Sequence, residues 1–175
     1  ELAIAKLINK AVKYNIGDFT PIGLVGSQPM VLVASHKAGV KNAAEFVSLV
    51  SKNPDKFSYG SSGVGTALHL AGELVKEQAK RSAITPDIPA LSELPQFKNV
   101  DINSWFALMA PKGLPAPIAA KLKKALEETM ASPEFRKKME ETGNVVADPK
   151  VDAGKYINTE IAKYAKIVQF AHIEN

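Results

Sequence analysis

Phe57-Ser58-Tyr59-Gly60-Ser61-Ser62-Gly63-Val64-Gly65-Thr66-Ala67-Leu68-His69-Leu70-Ala71 is the stretch that decides the fold. Phe57-Ser58-Tyr59 reads as a short strand and the four residues after it as the start of a glycine turn. From Thr66 to Lys80 the apolar residues Leu68, Leu70, Ala71, Leu74 and Val75 recur at helical spacing, which predicts a helix with that face inward. Strand, glycine turn and helix make a βα unit. The first turn of a helix leaves backbone N–H groups unpaired and carries partial positive charge. Glycines let an anion come close to that backbone, and Ser61, Ser62 and Thr66 add hydroxyl donors. The stretch is therefore a physically sound cradle for a carboxylate or phosphate. The competing reading is a tight βα turn that binds nothing.

Three sharper chemistries fail on the residues. A P-loop requires lysine after its last glycine, and Thr66 stands there. A nucleophile elbow requires Gly-x-Ser-x-Gly, and Val64 occupies the final position after Gly60-Ser61-Ser62-Gly63. The dinucleotide pattern Gly-x-Gly-x-x-Gly is absent from this junction. His69 follows Thr66 by about one helical turn. It could touch a bound anion or orient the loop, although packing is the commoner role for a histidine so placed. His36 and His172 have no companions at metal-ligand spacing, so no metal is expected.

Outward from the loop, strands and helices alternate, which argues for a layered α/β fold. Residues 1–14 have helical spacing through Leu2, Ala5, Ile8, Ala11 and Val12, and Asn15-Ile16-Gly17-Asp18 has turn chemistry. Ile22–Val25 and Met30–Ala34 read as strands separated by Ser27-Gln28-Pro29. Asn42 with Glu45 three positions later signals a helix start, and Phe46, Val47, Leu49 and Val50 form its buried face. Pro86, Pro89 and Pro95 make residues 85–100 irregular. Ser104–Ala110 reads as a buried strand, with Trp105-Phe106 as core and ligand stacking as the minority reading. Pro115–Met130 reads as an amphipathic helix. Ser132-Pro133 opens the next helix as cap and first-turn proline, and Gly143 closes it. Val145-Val146 reads as a short strand and Asp152–Ala171 as a long final helix.

The composition narrows the class. With 46% apolar residues among 175, the chain can bury a substantial core. No apolar run approaches the ~18 residues of a membrane helix. The start, Glu1-Leu2-Ala3-Ile4-Ala5-Lys6, lacks the pattern of a signal peptide. Net charge is +4, compatible with anionic ligands, but the lysines are dispersed over helices, so no nucleic-acid partner is expected. There are no cysteines, which removes thiol catalysis and disulfides.

A family resemblance sits on an ordered set of segments. Asp18-Phe19-Thr20-Pro21-Ile22 is followed by Gln28-Pro29-Met30-Val31-Leu32-Val33 and by Phe57 through Thr66 with His69-Leu70-Ala71. Pro86-Asp87-Ile88-Pro89, Ser92-Glu93-Leu94 and Trp105 through Pro115 come next, then Ser132-Pro133-Glu134, Gly143 and the closing helix. This order resembles the Bug-type extracytoplasmic receptors of tripartite tricarboxylate transporters. The resemblance implies a periplasmic binding protein-like fold of type II, a two-lobed Venus flytrap, with no catalytic activity and no cofactor. It implies a periplasmic receptor that binds a small organic carboxylate and delivers it to the membrane permease subunits of the transporter. Two βα loops hold the carboxylate in such receptors, and the second corresponds to Ser61, Ser62, Gly63, Val64, Gly65 and Thr66. Ser27-Gln28 falls near the cleft, which adds Gln28 to the candidate ligand-binding residues beside His69.

The sequence departs from the family pattern in two places. The N-terminal strand, glycine-rich loop and helix that carry the first carboxylate loop are missing, and Lys80 runs directly into Arg81 where the family has a long segment of the second lobe. On this reading residues 1–80 supply βα units to lobe 1 and the start of lobe 2. Residues 81–175 return to lobe 1, with an apparent deletion at the 80/81 junction. Two other functions remain open on the residues: a truncated lobe that only self-associates, and a small serine hydrolase using Ser62 and His69.

Overall fold

The computed structural model describes residues 2–53, 56–80 and 102–170. The irregular stretch expected over residues 85–100, His172 and the 80/81 junction lie outside the described residues. The chain opens with α1 (Leu2–Ile8) and a short 3-10 turn at Ile16–Asp18, then β1 (Phe19–Gln28). Next come α2 (Ala43–Lys52), α3 (Ala67–Lys80), β2 (Ser104–Pro111) and α4 (Ala116–Ala131). α5 (Pro133–Glu141), β3 (Val145–Val146) and α6 (Ala153–Phe170) complete the order.

The three strands form one antiparallel sheet in the order β2-β1-β3. Mixed α/β architecture is as expected, and the local signals explain most of its boundaries. Asn42 Oδ1 accepts the Glu45 N–H at 2.8 Å, while the Glu45 carboxylate reaches back to the Lys41 N–H at 2.8 Å. Ser132 Oγ accepts the Phe135 N–H at 3.2 Å behind the first-turn Pro133. α5 ends in a Schellman arrangement. Gly143, at φ 73°, donates to the Glu140 carbonyl, and Asn144 donates to that of Met139. Asp152 Oδ1 accepts the Lys155 N–H at 2.9 Å and starts α6.

Several expectations need correction. α1 stops at Ile8 rather than near residue 14, because the Asn9 side chain accepts the Ala11 N–H and turns the chain. Met30–Ala34 is not a strand. Pro29 lacks a ladder donor, no other described strand pairs beyond Gln28, and Val31 and Val33 are 79% and 81% exposed. Phe57-Ser58-Tyr59 likewise pairs with no described strand, so α3 follows a loop and not a βα strand. β2 forms as expected but is an edge strand and only half buried, with Phe106 44% exposed on its outer side.

The core lies where α1, α3 and α6 meet. Ala3 and Ile4 from α1, Leu70 and Leu74 from α3, and Tyr164, Ile167 and Val168 from α6 pack together with Ile102. Leu70 is fully buried and Tyr164 is 2% exposed. A smaller cluster joins α2 to α3 through Val47, Phe46, Val50 and Val75. Leu68, expected to face inward, is instead exposed at the start of α3. Truncating a fully buried leucine removes its transfer free energy and leaves a cavity. Leu70→Ala should therefore destabilise the fold by about 2–5 kcal/mol in urea unfolding. Ile118→Ala, on an exposed face of α4, should stay within about 0.5 kcal/mol of the parent.

Candidate functional site

Thr66 organises the loop. Its Oγ1 accepts the His69 N–H at 3.3 Å, the bond of a helix N-cap, and donates to the Gly63 carbonyl at 2.8 Å. Its own N–H donates to the same carbonyl at 3.3 Å. Ser61 Oγ accepts the Gly63 N–H at 3.4 Å. The N–H of Gly65 goes to Nδ1 of His69 at 3.1 Å. Three of the loop's backbone donors are thus used internally. Those of Ser62 and Val64 have no protein partner among the described residues, and both residues are exposed.

Gly65 is glycine for two reasons. Its φ is +78°, and a Cβ there would overlap the Ile8 side chain of α1. The loop is therefore pressed against α1 as well as capped onto α3.

A polar relay stands behind it. The Tyr59 ring stacks on the His69 ring, with centroids 6.2 Å apart at 25°. It also lies on Gly72, where a Cβ would run into it. Tyr59 OH donates to Glu73 Oε1 at 2.8 Å, and Lys76 pairs with the same carboxylate at 2.9 Å. Burial pushes the Tyr59 hydroxyl well above its ordinary range, and the Glu73 hydrogen bond and charge add to that. For Glu73, burial works upward, but Lys76 and the Tyr59 hydroxyl outweigh it and hold the carboxyl below its usual value.

A cavity of about 460 Å³ adjoins the loop. Ser62, Thr66 and Ala67 line one side of it, and Asn103, Ser104 and Trp105 at the start of β2 line another. β2 pairs with β1 on one edge only among the described residues, and Phe106, Ala107 and Met109 of β2 also line the cavity. Trp105 is half buried. Its Nε1–H donates to Tyr164 OH at 3.0 Å, and Tyr164 OH donates to the Asn103 carbonyl at 3.2 Å. Burial, then the Glu160 charge, raises the Tyr164 hydroxyl well above its ordinary range, so it stays protonated as that donor.

Ser61, Ser62, Gly63, Val64, Gly65 and Thr66 are thus one loop, with Ser62 and Thr66 on the cavity. His69 sits behind the loop as its acceptor. Gln28 ends β1 opposite the cavity-lining Ser104 of β2, and its Nε2 donates to the Thr142 carbonyl at 3.4 Å. Ser62 makes no hydrogen bond to His69 among the described residues, so the pairing that a serine hydrolase needs is not formed. No group of three or more metal-ligating side chains occurs among the described residues. Reading Trp105 as core gave only half of its role. Tyr59 and Glu73 were overlooked. Glu73 lies four residues after His69, on the same helical face, and that spacing was the available signal.

The fold is that of periplasmic binding proteins. A structure of the periplasmic binding protein BugD superposes with a TM-score of 0.80 over 99% of this chain and 77% of that one, at 23% identity. The Rhodopseudomonas palustris protein MatC with bound malate superposes at 0.70 over 95% of this chain and 76% of that one, at 19% identity. The Tripartite tricarboxylate transporter family receptor model, TctC, matches residues 3–79 and 73–173. The chain belongs to that family, a family of receptors and not of enzymes. A UPF0065 protein of Agrobacterium vitis is 24% identical over 212 aligned positions, covering 89% of this chain and 61% of that protein. One from Pseudomonas sp. strain P51 is 20% identical, covering 86% and 60%. The chain thus spans about three fifths of the length of these relatives.

The loop geometry separates its glycines. Gly60 has open space around it and no positive φ, so Gly60→Ala should change stability by less than about 0.5 kcal/mol. Gly65→Ala should cost at least about 1–3 kcal/mol, and adding Ile8→Ala should recover part of the loss. Equal losses for Gly60→Ala and Gly65→Ala in chemical unfolding would refute this assignment.

Proposed function

We propose that this chain is the receptor part of a tripartite carboxylate transporter, working in the periplasm and binding a small organic acid for delivery to a membrane permease. The observation that carries this reading is the cavity joining the first turn of α3 to the aromatic start of β2. One carboxylate meets the Ser62 hydroxyl, the unengaged N–H groups of Ser62 and Val64 and the positive end of the α3 dipole, beside the Thr66 cap. The carbon skeleton lies along Trp105 and the neighbouring edge of β2. Two structural relatives from Rhodopseudomonas palustris, described with adipate and with malate, support a dicarboxylate as the ligand class. Gln28, bonded to Thr142, takes a supporting place at the end of β1.

The reading includes a two-lobed parent organisation in which residues 1–80 enter the second lobe and residues 81–175 return to the first. Two features support a segment of the relatives that has no counterpart near the 80/81 junction. The family model matches in two stretches that meet at residues 73–79. The Agrobacterium vitis alignment, at 212 positions, is also longer than the 175-residue chain.

Malate and adipate should each be tried in thermal-shift and calorimetric titrations. A ligand at 100 times its dissociation constant adds about 2.7 kcal/mol of stability, which is readily seen as a rise in Tm. Trp105→Ala should weaken binding while Gln28→Ala changes it little. The absence of stabilisation by any member of an organic-acid panel at millimolar concentration would overturn the receptor reading.

A further inference from the structure

The bond between the loop and His69 depends on the charge of the ring. Gly65 N–H donates to His69 Nδ1 at 3.1 Å. An imidazole nitrogen accepts only through its lone pair, so this bond requires a neutral ring with its proton on Nε2. Gly65 is buried, at φ +78° and hard against Ile8. Its N–H has no other partner among the described residues, and an unmatched buried donor is costly. We propose that His69 is a positioning residue for the Ser61–Thr66 loop, holding it in its binding conformation while the imidazole is neutral and releasing it when the ring is protonated. The proposal rests on the loop being the carboxylate site.

Protonation replaces the Nδ1 lone pair with a second donor, which then opposes the Gly65 N–H. The imidazolium also has a competing partner. Glu73 lies one turn further along α3, its carboxylate is within electrostatic range of His69, and it stays ionised beside Lys76 and Tyr59. Tyr59 stacks against the ring at 25°, with centroids 6.2 Å apart, and the release that the proposal requires is a displacement of the ring along α3, from Gly65 toward Glu73.

Other charged groups on the packed elements are engaged elsewhere or turned to solvent. Lys6 of α1 bonds the Asn15 side chain. Glu45 of α2 bonds the Lys41 N–H, and Lys52 is exposed. α6 meets α3 through Tyr164, Ile167 and Val168, its Glu160 is paired with Lys163, and its Lys155 and Lys166 are exposed.

The test is a ¹H–¹⁵N NMR titration of the whole chain from pH 8 to 5, without ligand. The Gly65 amide should lose its hydrogen-bonded shift with the same midpoint as the His69 ring protons. In His69→Asn, Oδ1 stands close to the position of Nδ1 and accepts without titrating, so the Gly65 shift should stay flat. Calorimetry with malate should then show affinity falling about five- to tenfold on acidification in the parent relative to His69→Asn. A Gly65 amide that does not follow His69, or follows the same curve in His69→Asn, overturns the proposal. If His69→Asn does not fold, the agreement or disagreement of the two parent midpoints decides. If the amide follows His69 but malate and the acid panel never bind, loop positioning stands and the carboxylate-receptor reading falls.

Discussion

The burial of Leu70 and Tyr164 against each other's helices is the constraint on which the rest of the structure hangs. Leu70 sits one turn inside α3, so seating it between α1 and α6 fixes the N-terminus of α3 and the loop that precedes it. Tyr164 does the same for β2, because its hydroxyl bridges Trp105 Nε1 and the Asn103 carbonyl. Packing and hydrogen bonding divide the work by magnitude. Burying a large apolar side chain stabilises by about 1.5–3 kcal/mol, whereas one internal hydrogen bond nets about 0.5–1.5 kcal/mol. Packing therefore decides where the loop and the strand lie. The weaker, directional bonds decide which way Trp105 and the Asn103 carbonyl turn toward the cavity.

What was legible in the sequence was the chemistry that is local. Asn42, Ser132 and Gly143 mark helix ends because their partners are within a few residues and follow from backbone geometry alone. The glycine loop and its hydroxyls are legible for the same reason. Met30–Ala34 and Phe57–Tyr59 were misread because a strand is defined by its neighbour. β-branched composition states a capacity to pair and says nothing about whether a partner is present. Trp105 was half read, since an aromatic in an apolar strand gives no sign of which edge stays open. The acceptor role of His69 was hidden too. It depends on the direction of one imidazole lone pair and on Ile8 of α1 pressing Gly65 into place, a contact between residues far apart in the chain.

The described surface bears on the organisation of the family. Val31, Val33, Phe57, Val64 and Leu68 all expose large apolar side chains, and they lie in the two segments on either side of α2 and at the start of α3. Isolated exposed apolar residues are ordinary. Here Val31, Val33 and Phe57 sit in the segments where strand-forming composition finds no described partner. Together with the relatives' greater length, this favours a reading in which these segments are built to meet further polypeptide.

The energetics of the loop point the same way. A helix N-terminus contributes about 0.3–1 kcal/mol to holding an anionic group at an exposed site, rising to ~2 kcal/mol when partly buried. A hydroxyl donor such as that of Ser62 adds about a further 0.5–1.5 kcal/mol. Micromolar binding corresponds to about 8 kcal/mol. The cradle alone falls short of that, and its chemistry is the same for every carboxylate. On the receptor reading, discrimination among acids falls to the other wall of the cavity, which Asn103, Ser104 and Trp105 line. On that reading the loop is the anchor and the start of β2 the selecting wall, and Tyr164, which bonds both Trp105 and Asn103, ties that wall to the core that positions the loop.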